Sequence, residues 1–240
     1  MEVLDEATSQ RVAEVLEPFV GDERKRRVKA VLAARLESVT AVMDAPHDPH
    51  NGSAVLRTCD AFGVNALHVI QRKEDFLASR RIARGSQRWV GVHSYRTTDE
   101  AVATLRASGH SLCGTHPEGR LLPEELKQIP RLALVLGNER WGIAEELAAS
   151  CEHTVRIPMR GFAESLNVSV TAAILLQHAT SDRPGDLSEA EQARLYARAL
   201  VLTMPRAPEI LAARGVLLAS PEALRAARAE LGAFTRGEPE

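Results

Sequence analysis

With 240 residues, of which 45% are hydrophobic and 26% charged, the chain has the composition of a folded globular protein able to bury a substantial core. No apolar run approaches the ~18 residues of a membrane span, and the acidic start MEVLDEATSQ lacks the basic-then-apolar order of a signal peptide. A formal net charge of −2 announces no nucleic-acid partner by itself. Three scattered cysteines, Cys59, Cys113 and Cys151, without a CxxC pair, predict free thiols in a reducing cytoplasm and no disulfide or zinc framework.

Residues 9–37 have helical apolar spacing, interrupted at Pro18, and carry five positive charges in the six residues 24–29: Arg24, Lys25, Arg26, Arg27 and Lys29. This cluster is either an arm for a phosphate backbone or a solvated helix face balanced by Asp22, Glu23 and Glu37. SVTAVMDA (38–45) reads as a buried strand, APHDPHNG as a turn, and 53–62 as a short helix with Gly63 as its C′ residue. VNALHVIQ is a second strand. Residues 74–88 are basic and irregular, with Arg80, Arg81, Arg84 and Arg88 around Gly85-Ser86. WVGVHSY, HSLCGTH and the nearly continuous apolar RLALVLG are further strands. They are separated by helices at DEAVATLRASG and LPEELKQIP, and a last helix is expected over 141–150. Strands alternating with short helices predict a parallel α/β sheet. SDRPGDLSE then breaks the pattern, and LSEAEQARLYARALVL is a helix opened by a Ser188-to-Glu191 capping box. The domains expected are a basic helical arm (1–37), a sheet domain (38–181) and an arginine-rich helical extension (182–240).

Ligands of open parallel sheets sit beyond the strand ends, and three loops there are loaded with chemistry. The first, His47-Asp48-Pro49-His50-Asn51-Gly52, leads to Arg57. Pro49 keeps the two histidines from sharing a helix face and no third ligand is near, so no metal is expected. Arg57 either pairs with Asp60 or faces a phosphate. The second loop, Gly137-Asn138-Glu139-Arg140-Trp141-Gly142, brackets polar groups with glycines, and GxGxxG and GxxxxGK[ST] are both absent. The third follows the β-branched run Val155–Ile157 and Pro158, and leads through Ser165, a candidate N-cap, into the buried helix SLNVSVTAAILL. Its free N–H groups face whatever occupies the loop. Together the loops suit a charged, partly apolar small molecule beside a phosphate-bearing substrate.

NGSAVLR (51–57), LGNERWG (136–142) and IPMRGFAESLNVSV (157–170) resemble the three motifs of the SpoU branch of the SPOUT methyltransferases. PHDPHNGSAVLRTCDAFGV, GSQRWV and ERWGI are similar, more narrowly, to its TrmH subfamily, which methylates the ribose of a D-loop guanosine in tRNA. The resemblance spans residues ~20–180. It implies an α/β parallel-sheet SPOUT fold with a C-terminal trefoil knot, flanked by helical extensions, working as a cytoplasmic homodimer without metal or membrane. It also implies methyl transfer from S-adenosyl-L-methionine to a ribose 2′-hydroxyl. The motifs place Thr115, Leu136, Gly137, Ile157, Met159 and Leu166 around the cofactor, and Asn51, Arg57, Glu139, Ser165 and Asn167 at the chemistry. Arg24, Lys25, Arg26, Arg27, Arg84 and Arg88 become contacts to tRNA. The alternatives are the same chemistry on ribosomal RNA or another tRNA position, and a non-catalytic RNA-binding protein that retains the fold. Asn138 follows the general SpoU pattern more than the TrmH one, and Phe162-Ala163-Glu164 replaces a more apolar trio.

Overall fold

The computed structural model describes residues 5–71 and 89–216. In chain order the helices are α1 (Glu6–Leu16), α2 (Asp22–Ala33), α3 (Pro49–Ala61), α4 (Thr98–Ala107), α5 (Glu145–Ala148), α6 (Val168–Thr180), α7 (Glu189–Thr203) and α8 (Ala207–Ala213). The strands are β1 (Val39–Asp44), β2 (Ala66–Ile70), β3 (Gly91–Tyr95), β4 (Ser111–Thr115), β5 (Leu132–Leu136) and β6 (His153–Val155). The chain divides into two compact units, one of residues 35–184, the other of the segment up to Ala34 with the chain from Gly185 onward.

In the 35–184 unit every described strand pairing is parallel, in the order β3-β2-β1-β5-β4-β6. The α/β parallel-sheet expectation holds. Alternation along the central strands divides the core between two faces. Ala41 and Met43 of β1, with Leu132, Leu134 and Leu136 of β5, pack beneath α3 and α6. Val42, Ala133 and Val135 point the other way, against Ala101 and Leu105 of α4 and Leu147 of α5. Strands covered on both faces must be apolar throughout, which is why VTAVM and LALVL read so plainly as strands. Each fully buried leucine here contributes about 2–3 kcal/mol by leaving water.

Three boundaries differ from the sequence expectation. Helix α3 starts at Pro49, four residues early, because Asp48 Oδ1 accepts from the His50 N–H at 2.8 Å and Pro49 occupies the first helical position. Asn51 and Gly52 therefore lie on a helix and not in a turn. Its end is as expected, with Gly63 at φ +74° and the Val64 N–H bonded to the Cys59 carbonyl at 2.8 Å. The helix expected over 141–150 shrinks to α5, because residues 138–142 are committed to a tight loop. The run expected at Val155–Ile157 pairs earlier, as β6, with Cys113, Gly114 and Thr115 of β4.

The other unit joins the two ends of the chain. Val12 and Leu16 of α1, Leu32 of α2, and Leu195, Tyr196, Leu200 and Val201 of α7 share one core with Leu211 of α8. Ser188 caps α7, its Oγ accepting from the Glu191 N–H at 3.2 Å, while the Glu191 carboxylate turns to Arg194. Tyr196 donates its hydroxyl to Glu17 at 2.9 Å, and Lys29 lies over the Tyr196 ring while bonding Glu17 at 2.7 Å.

Candidate active site

The three loaded loops meet at one end of the sheet. β1 ends in Asp44, whose buried carboxylate accepts from the Ala144 N–H at 2.7 Å and so ties the loop after β5 to β1. That loop doubles back sharply. Asn138 and Gly142 exchange both backbone hydrogen bonds, at 2.8 and 2.9 Å, with Gly142 at φ +70°. A Cβ on Gly137 would lie 2.5 Å from the Gly142 carbonyl carbon, so only glycine permits this closure.

Glu139 stands at the tip of the turn. Its Oε2 accepts from the His47 N–H at 3.0 Å and its Oε1 from Asn51 Nδ2 at 2.8 Å. Asn51 Oδ1 accepts in turn from Asn167 Nδ2 at 3.0 Å, and Asn167 Oδ1 accepts from the Ser169 N–H at 2.8 Å and the Ser169 hydroxyl at 2.6 Å. The ends dictate both amide orientations, since an ionised carboxylate only accepts and a backbone N–H only donates. Every donor therefore points toward Glu139. Partial burial is the largest single influence on this carboxyl and pushes its pKa up. The hydrogen bonds from Asn51, His47 and neighbouring backbone outweigh it together, and the net pKa lies below the usual glutamate value.

This chain of bonds borders a cleft of about 520 Å³, lined by Thr115, Gly137, Ile157, Met159 and Leu166 among others, with Glu139, Ser165 and Asn167 also in its wall. Five of the six residues expected around the cofactor thus line one cleft. Leu136 does not; it is fully buried in β5 beneath it. Asn51, Glu139 and Asn167, which the resemblance places at the chemistry, are bonded together. Ser165 reaches the same wall, but the helix cap expected of it belongs to Asn167, two residues later. Arg57 is exposed on α3 and lies outside the cleft lining. The Asp60 that was its possible partner is held instead by buried Arg35, at 3.1 Å. Arg24, Arg26 and Arg27 are exposed on α2 and make no ion pair among the described residues, while Lys25 pairs with Asp22 at 2.6 Å. Arg84 and Arg88 lie outside the described residues. Sequence reasoning named Asn138 only as an amide of the second loop and missed Ser169, a hydroxyl within a matched motif that bonds Asn167.

The sequence profile of the SpoU rRNA Methylase family matches residues 38–177. The chain belongs to this family. Among relatives of this SpoU methylase, the tRNA (guanosine(18)-2′-O)-methyltransferase of Escherichia coli K12 is 35% identical over 182 residues, covering 72% of this chain and 80% of its own. The structure of the Aquifex aeolicus TrmH/SpoU tRNA modifying enzyme superposes with a TM-score of 0.64 at 27% identity, over 75% of this chain and 95% of the other. The SpoU methyltransferase AviRb of Streptomyces viridochromogenes, solved in complex with AdoMet, superposes with a TM-score of 0.54 at 27% identity, over 63% and 60% of the two chains. Both structural likenesses agree with the parallel sheet and its flanking helices.

Proposed function

We propose that this SpoU methylase transfers a methyl group from S-adenosyl-L-methionine to the 2′-hydroxyl of the D-loop guanosine of tRNA. The observation that carries the proposal is the bonded series Ser169–Asn167–Asn51–Glu139, which unites all three motifs at the wall of one cleft.

The cleft fits the cofactor. Its volume lies within the roughly 300–1,000 Å³ of small-molecule sites. Ile157, Met159, Leu166, Val168 and Leu175 give an apolar wall for an adenine, and Glu139 and Glu164 give negative charge for a cationic sulfonium. When bound, S-adenosyl-L-methionine supplies a strongly electrophilic methyl group, so the protein's task is alignment and charge management. Glu139, anchored by two donors, fixes Asn51. Asn51 and Asn167 each keep a second amide hydrogen to orient the ribose. Arg57 is exposed, and a guanidinium offers five N–H donors and no acceptor, so it suits gripping the neighbouring phosphate and stabilising the developing alkoxide, not removing a proton.

Arg57 lies outside the cleft lining of its own chain, which supports a homodimer through the knotted domain in which Arg57 serves the cleft of the second copy. β6 lies at the edge of the sheet, yet the chain returns from it to bring Asn167 beside Asn51, passing the ends of β4 and β5; this path supports the trefoil knot. The exposed Arg24, Arg26 and Arg27 suit a tRNA backbone, and Trp141 and Phe162, largely exposed beside cleft-lining residues, offer faces for unstacked bases. Among the described residues no helix is long and apolar enough to cross a membrane and no three metal-ligating side chains converge. The proposed tRNA substrate supports a place in the cytoplasm.

The test is transfer of labelled methyl from S-adenosyl-L-methionine to an unmodified tRNA transcript, alongside the same transcript with only the D-loop guanosine changed. Incorporation that vanishes in the second transcript is expected. Incorporation that persists overturns the site, and transfer only to ribosomal RNA overturns the substrate.

A further inference from the structure

Asn138 is held on every side. Its backbone closes the turn with Gly142, and its Oδ1 accepts from the Arg140 N–H at 2.8 Å. Its Nδ2 donates to the carbonyl of Ala45, the first residue beyond β1. Ala45 sits at φ +44°, in the left-handed region where a residue with a Cβ is strained, and its own N–H is bonded to the Ile70 carbonyl at 2.9 Å. The carbonyl that Asn138 grips is thus aimed from the end of β1, where the chain is still bonded to β2. The next residue, Glu139, reaches His47 and Asn51, which lie just past that same point. Two adjacent side chains therefore clamp the loop after β5 onto the loop after β1.

We propose that Asn138 is a positioning residue for methyl transfer: by anchoring to the Ala45 carbonyl it sets the placement of Glu139 against Asn51. The proposal rests on the function proposed above. A glutamate on a six-residue turn has backbone and side-chain freedom that two hydrogen bonds alone do not remove. The Asn138 anchor fixes the residue before it to an element of the sheet, so Glu139 meets Asn51 in one geometry. Asn138 also lines the cleft, but its side chain is spent on Ala45 and Arg140, so its loss acts through Glu139.

Asn138→Asp is the sharpest variant. It keeps the shape and the acceptor for Arg140, but replaces the donor to Ala45 with an oxygen facing an oxygen. Asn138→Ala removes both contacts. The measurements are kcat and KM with tRNA transcript, equilibrium binding of S-adenosyl-L-methionine by calorimetry, and the thermal midpoint. Both variants are expected to lower kcat about 10–100-fold, with cofactor affinity and the KM for tRNA within about threefold of the parent. In a Glu139→Ala background, Asn138→Ala is expected to cost nothing further, because the residue it positions is already gone. Parental kcat in Asn138→Asp overturns the proposal. So does a loss confined to cofactor affinity, which would make Asn138 a cofactor contact, and so does a full additional loss in the Glu139→Ala background. If the parent itself transfers no methyl to tRNA while binding cofactor, the functional proposal fails and this one falls with it.

Discussion

Asn51 Nδ2 donates to Glu139 Oε1 at 2.8 Å, joining residues 88 positions apart in the chain. Glu139→Gln puts an amide where a carboxylate accepts two N–H donors, so one of its two ends faces a donor with a donor. We expect kcat to fall about 10²-fold, with cofactor binding nearly retained. Because hydrogen bonds hold this carboxyl below its usual pKa, the bonded form is present at neutral pH and is lost only as pH falls through that lowered value. The kcat profile of the parent should therefore show no glutamate titration above pH ~5. A break there would mean that Glu139 lacks these bonds during turnover.

The proposed supply of Arg57 across a homodimer makes a sharp genetic prediction. Arg57→Ala and Glu139→Ala are each expected to be nearly inactive alone. Co-expressed, they form mixed dimers in which one of the two clefts has an intact Glu139 and receives an intact Arg57. About one quarter of parental activity should return if subunits assort at random. No recovery in purified mixed dimers would place Arg57 in the service of its own cleft.

Arg35 is 2% exposed, and its guanidinium is divided between Asp60, at 3.1 Å, and the Val64 carbonyl, at 3.0 Å. Removing only Asp60 leaves a buried cation short of a partner. Asp60→Ala should cost about 2–4 kcal/mol in urea unfolding, and adding Arg35→Met should recover much of that loss. A loss below about 0.5 kcal/mol would show the pair to be as weak as a surface bridge.

The sequence showed best what local pattern controls. β1 and β5 are legible because both faces are covered, and Gly63 because a helix end of that kind wants a left-handed residue. The start of α3 was not, since Pro49 and Gly52 signal a turn, and only the Asp48 side chain folding back on His50 makes them helical. Ser165 and Asn167 are both good caps by type, and the choice falls to Asn167, whose amide also meets Asn51, 116 residues away. Motif resemblance named Asn51, Glu139 and Asn167. Ser169 joins them through Asn167, two residues away, whereas the hold of Asn138 on the Ala45 carbonyl spans 93 residues and leaves no local trace. Likewise, the apolar spacing of α1 and α7 shows that each needs a partner, not that each is the other's.

His68 is buried on β2, with Nδ1 2.8 Å from the Tyr95 hydroxyl and its ring stacked on His93 at 5.0 Å between centroids. Burial, and then the neighbouring His93 and His110, push its pKa down to about 3. Unfolding restores the ordinary value near ~6.5, so below that pH the unfolded chain binds a proton that the folded chain refuses. Stability therefore falls as pH drops from about 6.5 toward 3, by at most ~2 kcal/mol between pH 6.5 and 5. Urea midpoints measured across this range should flatten in His68→Gln. An unchanged slope would assign the acid sensitivity to other groups.

The packing of α1 and α2 against α7 and α8 has a consequence for how the protein is made. The basic helix α2 is translated before the sheet unit, but most of the core that steadies it follows that unit in the chain. The sheet unit between them can collapse while synthesis continues; the terminal unit must wait for residues 187–211. The arginine-bearing surface is thus completed after the sheet unit, so a nascent chain displays the positive charge of α2 on an unsupported segment while the sheet unit forms.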